Sequence, residues 1–189
     1  YHKRCIVGNL EKVYEIGKNF RNEDIDAQHY PEYTSLELYE AYVDYEAIMD
    51  LTESLLHDTA MHIVGSEKIK YGDKVLDFTR PWKRVTMHDA IKEHTGVDIS
   101  SFKDVAEAKA TAARLGVRDI EDCNEMGKVV AELFDQKAQP NLVDPTFVID
   151  HPVEVSPLAK RKRGNPDLVE RFELFINGWE FANAFSELN

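Results

Sequence analysis

Long apolar runs are absent. Nothing in the 189 residues approaches the roughly 20 consecutive apolar positions of a membrane-spanning helix. Cysteine is almost absent as well: Cys5 and Cys123 are the only two. They fit no metal-ligand or disulfide spacing, and the expectation is a reducing, cytoplasmic setting. The opening residues do not read as a secretory or transit signal. Positive charge is in short supply, with 23 Lys and Arg against 35 Asp and Glu and a net charge of −12. That balance argues against a chain that clamps nucleic acid by itself, because phosphate binding needs a basic surface. Internal repeats and low-complexity segments are missing. What is present is the composition of an ordinary globule, 43% apolar and 31% charged, at a length that suits one sizeable core and a small subdomain.

Residues 14 to 45 hold the densest pattern. Val13 to Phe20 reads as a strand that delivers Arg21. A loop follows with the turn formers Asn22, Asp24, Asp26 and Pro31. The next run alternates with period two. Tyr33, Ser35, Glu37 and Tyr39 point one way, and Thr34, Leu36 and Leu38 point the other, as an apolar core face. The polar face has two readings. It is a solvated sheet face, or it is a pocket floor whose phenols and carboxylate suit a flat ring and an ammonium group.

Further along, Asp44 is placed to cap a helix over 46–64, with Ile48, Leu51 and Leu55 at helical spacing and Gly65 as its stop. His57 and His62 on that helix have no spaced partner and are not expected to bind metal. Lys68–Tyr71, Gly72-Asp73 and Lys74–Phe78 form a hairpin pattern, and Pro81–Val85 reads as a strand. Thr86 with Asp89 three residues on opens a helix to about Thr95, stopped by Gly96. Residues 101–115 and 119–137 are helical by pattern and separated by Gly116. Asn141–Pro145 links back to a short strand, Phe147–Asp150. Residues 156–167 form a basic loop. Its run Lys160-Arg161-Lys162-Arg163 is a solvated charge cluster or a phosphate contact.

Arg171–Ile176, Asn177-Gly178 and Trp179–Leu188 make the strongest hairpin signal. Regular pairing across a two-residue turn sets Phe175 opposite Glu180 and Glu173 opposite Ala182. Glu173 and Glu180 become diagonal neighbours on one face. They are two glutamates on a wet face, or a seat for magnesium held through carboxylates and substrate phosphates.

Several of these segments resemble class II lysyl-tRNA synthetases. Phe20-Arg21-Asn22-Glu23 followed by His29-Tyr30-Pro31-Glu32-Tyr33-Thr34 is similar to motif 2 of that superfamily, and the match runs on through Leu36-Glu37-Leu38-Tyr39 and Ala41–Tyr45. A second match covers Ile149–Ala159 and Glu170–Phe175, and closes with Ala182–Asn189. The resemblance implies an α+β fold, an antiparallel sheet core of class II type flanked by helices. Residues 1–96 would be the motif 2 part of the core, 97–140 a helical insertion, and 141–189 the C-terminal part of the sheet. Tyr1-His2-Lys3-Arg4 would be the strand or turn leading into motif 2. It further implies a catalytic-core fragment that lacks motif 1, motif 3 and the anticodon-binding barrel, and that is inactive alone. The intact cytoplasmic enzyme would be a homodimer that activates L-lysine with ATP and Mg2+ and passes it to tRNA(Lys).

Residue by residue, the resemblance puts Arg21 on the α-phosphate and the lysine carboxylate, Glu23 on the adenine amino group, His29 near the phosphates and Tyr33, usually Phe, against the adenine. Tyr30 stands where Asn is common. Glu173 and Glu180 would hold magnesium. Glu37 would take the lysine α-ammonium, Asn183 the carboxylate, Tyr39 and Glu187 the ε-ammonium, and Phe185 would line the side-chain channel. The lysine carboxylate is then the nucleophile, which fits a sequence with no Ser-His-Asp or Cys-His arrangement. Glu180 is even-numbered, whereas Asn183, Phe185 and Glu187 are odd. One strand presents all four to one pocket only with a β-bulge, expected near Phe181–Asn183. The alternatives are a lysine-modifying paralogue acting on a translation factor and a non-catalytic module built on the same core.

Overall fold

The structure is a computed structural model that describes residues 1–26 and 29–188. Asn189, which closes the second matched segment, lies outside the described residues. The chain divides into two compact units, residues 1–43 and the rest from Asp44 onward.

The first unit is a short helix, α1 (His2–Val7), and a two-stranded antiparallel ribbon of β1 (Lys12–Phe20) and β2 (Glu32–Glu40). The first four residues therefore enter a helix, where a strand or turn was expected. The ribbon pairs in unbroken register from Lys12↔Glu40 to Phe20↔Glu32. The expected apolar face of β2 exists, because Leu36 and Leu38 oppose Ile16 and Tyr14. It is not core: Tyr14, Ile16 and Leu36 are exposed, and no described residue of this unit is buried. One ribbon and a six-residue helix have too little area to enclose an interior.

The second unit opens with α2 (Tyr45–Ile63). The Asp44 carboxylate accepts from the Glu46 and Ala47 N–H groups, both at 3.1 Å, as its cap. Its inner stripe is Tyr45, Met49, Thr52, Glu53 and Ala60, while Leu51 and Leu55 are left exposed. The expected stripe was rotated because two of its members, Thr52 and Glu53, are polar. Glu53 is buried by accepting from Arg80 Nε at 2.8 Å. The hairpin of β3 (Lys68–Tyr71) and β4 (Lys74–Asp77) turns on Gly72-Asp73, with Tyr71 opposite Lys74. Then come β5 (Lys83–Thr86) and α3 (Met87–Thr95). Thr86 Oγ1 accepts from Asp89 N at 3.0 Å and donates to its carboxylate at 2.8 Å, and Gly96 closes the helix at φ 73°.

Two helices follow, α4 (Val105–Arg114) and α5 (Met126–Leu133). The second begins seven residues later than its composition suggests, because Asp119 takes φ 62° and breaks the segment ahead of it. It continues through a π-helical turn, Phe134–Ala138. After β6 (Thr146–Ile149), the segment read as a loop contains a small hairpin of β7 (Arg161–Lys162) and β8 (Asn165–Val169). The unit ends on β9 (Arg171–Ile176) and β10 (Trp179–Phe185).

The sheet that organises this unit runs β10-β9-β6-β5, antiparallel except for β5 beside β6. Phe147, Phe172, Leu174 and Ile176 face one cluster with Met49 and Trp82. Val85, Val148 and Phe175 face the other, with residues of α3, α4 and α5. Large side chains on alternate positions thus cover both sides.

Candidate functional site

The β9–β10 hairpin carries the acidic half of the expected site. Its turn, Asn177-Gly178, takes φ 55° and 77°, the pair that a two-residue hairpin loop demands. Pairing starts as expected, Trp179↔Ile176 and Glu180↔Phe175. It then shifts, to Ala182↔Leu174, Asn183↔Glu173 and Phe185↔Arg171. The expected bulge is present, and Phe181 is its extra residue, 56% exposed. The earlier pairing of Glu173 with Ala182 is corrected: Glu173 sits across from Asn183. Cross-strand partners share a face, so Glu180, Asn183 and Phe185 lie with Arg171, Glu173 and Phe175. Ala182 and Ala184 turn to the opposite side, where small residues fit against Leu174 and Phe172.

The row across the sheet is Val85, Val148, Glu173, Asn183. Glu173 therefore has an apolar neighbour on one side and a polar one on the other. Burial pushes its carboxyl up to about 7, with the charges of Glu180 and Asp135 adding to the rise and Arg171 opposing it. Asp135, on the π-helical turn, is pushed up to about 6 by partial burial and by Glu132 and Glu180. Arg171 ties the face together. It pairs with Glu173, donates to Ser156 Oγ, and donates from Nε to Asn183 Oδ1 at 3.0 Å. That leaves the Asn183 amide N–H2 as a donor. Glu187 follows the strand and is bridged to Ala159, beside Lys160 N, which donates to Ser186 O at 2.8 Å. In the basic run, Lys162 is bound to Asp150 and Arg161 to the Pro166 carbonyl, so both serve the local fold.

In the first unit, Tyr33, Ser35, Glu37 and Tyr39 share one face of β2, opposite Asn19, Gly17, Glu15 and Val13. The Arg21 guanidinium lies 5.5 Å from the Tyr33 ring centroid and 3.7 Å from Glu23. His29 is held by Asp26, with N to Oδ1 at 2.7 Å and Nδ1 to Oδ2 at 2.9 Å. Glu37 and Tyr39 both meet His2. Arg21, Glu23 and Tyr33 thus come together, as do Glu37 and Tyr39, while His29 stands with Asp26.

Arg171, Asp135, His2 and Glu15 were not singled out by sequence reasoning. Arg171 was within reach, because it stands two residues before Glu173 and so shares its face. The others needed the register and the helix.

Among the described residues, no group of three or more His, Cys, Asp and Glu is arranged as a metal cluster. Glu173 and Glu180 offer hard oxygen donors on one face, with Glu173 also paired to Arg171. Two carboxylates of this kind fit a magnesium ion that takes its remaining ligands from phosphates and water.

A mostly antiparallel sheet flanked by helices and ending on such a hairpin, with a ribbon carrying Arg21 and Glu23 earlier in the chain, fits a class II synthetase core. The family model for tRNA synthetases class II (D, K and N) matches residues 1–189, and the chain belongs to that family. Among curated relatives, the lysine–tRNA ligase of Thermosynechococcus vestitus is 53% identical over 186 residues, 98% of this chain and 37% of the relative. That of Carboxydothermus hydrogenoformans is 53% identical over 189 residues, 100% of this chain and 38% of the relative. That of Thermoanaerobacter sp. is 54% identical over 187 residues, 99% of this chain and 37% of the relative. The chain therefore spans under two fifths of the length of these relatives. No helix among the described residues is long and apolar enough to cross a membrane.

Proposed function

We propose that this chain is part of the catalytic core of a lysine–tRNA ligase, which uses ATP to convert L-lysine to lysyl-adenylate and then esterifies tRNA(Lys). The observation that carries the reading is the bulge at Phe181, which puts Glu180, Asn183 and Phe185 on one face with Glu173. The identity to lysine–tRNA ligases over nearly the whole chain supports it. In this reading Arg21 holds the α-phosphate and the lysine carboxylate, and Glu23 and Tyr33 hold the adenine. His29 lies by the phosphates. Asn183 donates its amide to the lysine carboxylate, Glu37 takes the α-ammonium, Tyr39 and Glu187 take the ε-ammonium, and Phe185 lines the side-chain channel. Glu173 and Glu180 would hold Mg2+, which supplies charge neutralisation at the phosphates when bound. The protein's own share is orientation and charge complementarity, and the substrate carboxylate is the nucleophile. A buried ammonium needs a carboxylate partner, which gives discrimination against uncharged analogues. Residues 97–140 are read as a helical insertion between the two parts of the core. The intact enzyme is read as a cytoplasmic homodimer.

The test is ATP–pyrophosphate exchange by the intact protein with each of the twenty amino acids. Lysine alone should support exchange, and Glu187→Gln should raise the KM for lysine far more than that for ATP. Exchange with aspartate or asparagine, or equal losses for lysine and ATP in the variant, would overturn the reading.

A further inference from the structure

Glu15 and Glu37 are direct cross-strand partners on the same face of the ribbon. Like charges placed so repel. The His2 ring sits against both. Its Nε2 lies 2.6 Å from Glu15 Oε2 and its Nδ1 lies 3.3 Å from Glu37 Oε2. The same ring stacks on Tyr39, with centroids 5.6 Å apart and planes 14° apart, and the Lys3 ammonium lies 5.9 Å from that Tyr39 centroid. One side chain on α1 therefore touches both residues of β2 that the proposed function gives to lysine.

We propose that His2 is a positioning residue for the amino-acid subsite. It pins Glu37 through Oε2, which leaves Oε1 for the substrate ammonium, and it fixes the plane of the Tyr39 ring. Glu15 is the counter-anchor that holds the ring from behind. The inference rests on the reading of Glu37 and Tyr39 as lysine contacts. It adds a contact from outside β2 that sets how well lysine, but not ATP, is bound.

The experiment compares His2→Leu and His2→Arg in the intact protein by lysine-dependent ATP–pyrophosphate exchange. Leucine removes both ring nitrogens and the aromatic ring. It should raise the KM for lysine on the order of tenfold, the effect of losing one polar contact to a carboxylate, and leave the KM for ATP within about twofold. Arginine supplies a planar group that can bridge two carboxylates and stack on a ring, and should hold the lysine KM within about threefold of the parent. An unmoved lysine KM in His2→Leu, equal rises for lysine and ATP, or no recovery in His2→Arg would each overturn the proposal. The parent protein is the control. Lack of lysine-dependent exchange there overturns the function reading and this inference with it. Exchange in the parent with an unmoved lysine KM in His2→Leu overturns the inference alone.

Discussion

Glu173 faces Asn183 across the last hairpin, and Arg171 bonds to both. Without the bulge, Glu173 would face Ala182 and Asn183 would turn toward the cluster around Phe172.

The two neighbours at the bulge should respond in opposite ways. Phe181 is the exposed extra residue, so Phe181→Ser should change stability by no more than about 0.5 kcal/mol. Ala182 packs toward Leu174, so Ala182→Phe should overpack that side and cost about 1–3 kcal/mol. Urea denaturation of both variants checks this. A regular ladder would reverse the order, because Phe181 would then face Leu174.

Glu173 should make the fold less stable as pH rises. Its carboxyl is raised to about 7 by burial, so between about 4.5 and about 7 the native state holds a proton that the unfolded chain has lost. Stability from this group falls across that window and is level above it, with a slope of at most about 1.4 kcal/mol per pH unit. Asp135 acts with the same sign, so the comparison needs Glu173→Gln, which should remove part of the decline between pH 5 and 7.5. An unchanged slope in that variant would count against the buried site. Magnesium binding, where it occurs, should tighten with pH over the same range, since the cation competes with the proton.

His151 should work the other way. It is buried, donates to the Val148 carbonyl at 3.1 Å, and is pushed down to about 3 by burial and by Arg171. The native ring stays neutral while the unfolded chain protonates below about 6.5. Stability from this group is full above that pH and is lost as pH falls toward 3. His151→Gln should lose stability at pH 7 and show a shallower acid decline, measured by denaturation at pH 7 and pH 5.

Gly127 is a close-approach position in α5. A Cβ there would lie 2.7 Å from Pro152 Cβ and 2.7 Å from Glu154 Oε2. Glycine's helix penalty would ordinarily make alanine stabilising. Gly127→Ala should instead destabilise by about 1–3 kcal/mol, because the proline ring cannot give way. Thermal melting decides the sign.

Much of this arrangement was legible in the sequence because it rests on local chemistry. Asp44, the Thr86–Asp89 pair and Asn177-Gly178 announce caps and turns within a few residues. The bulge was legible for a different reason: the family resemblance assigns Glu180, Asn183 and Phe185 to one pocket, and their parity then conflicts with a regular strand. What was missed depends on tertiary context. Glu53 is buried only because Arg80 and Trp82 reach it, so apolar spacing pointed to Leu51 and Leu55 instead. The late start of α5 follows no cap, since Glu125 makes no capping bond. The strands Arg161–Lys162 and Asn165–Val169 have loop-like composition. The meeting of His2 with Glu37 needs a helix folded back on a ribbon, which no periodicity reports.

The extra residue in the last strand also governs where the chain tolerates a change of length. Removing Phe181 would straighten the ladder and leave every pair from Ala182↔Leu174 to Phe185↔Arg171 as it stands. Removing Ala184 would send Phe185, and whatever follows it in the strand, to the far side of the sheet. Of these two single-residue deletions, the one at Phe181 keeps the residues beyond it in phase with Glu173. That makes the bulge the place where homologous sequences, or engineered ones, can differ in length without dismantling the face they share.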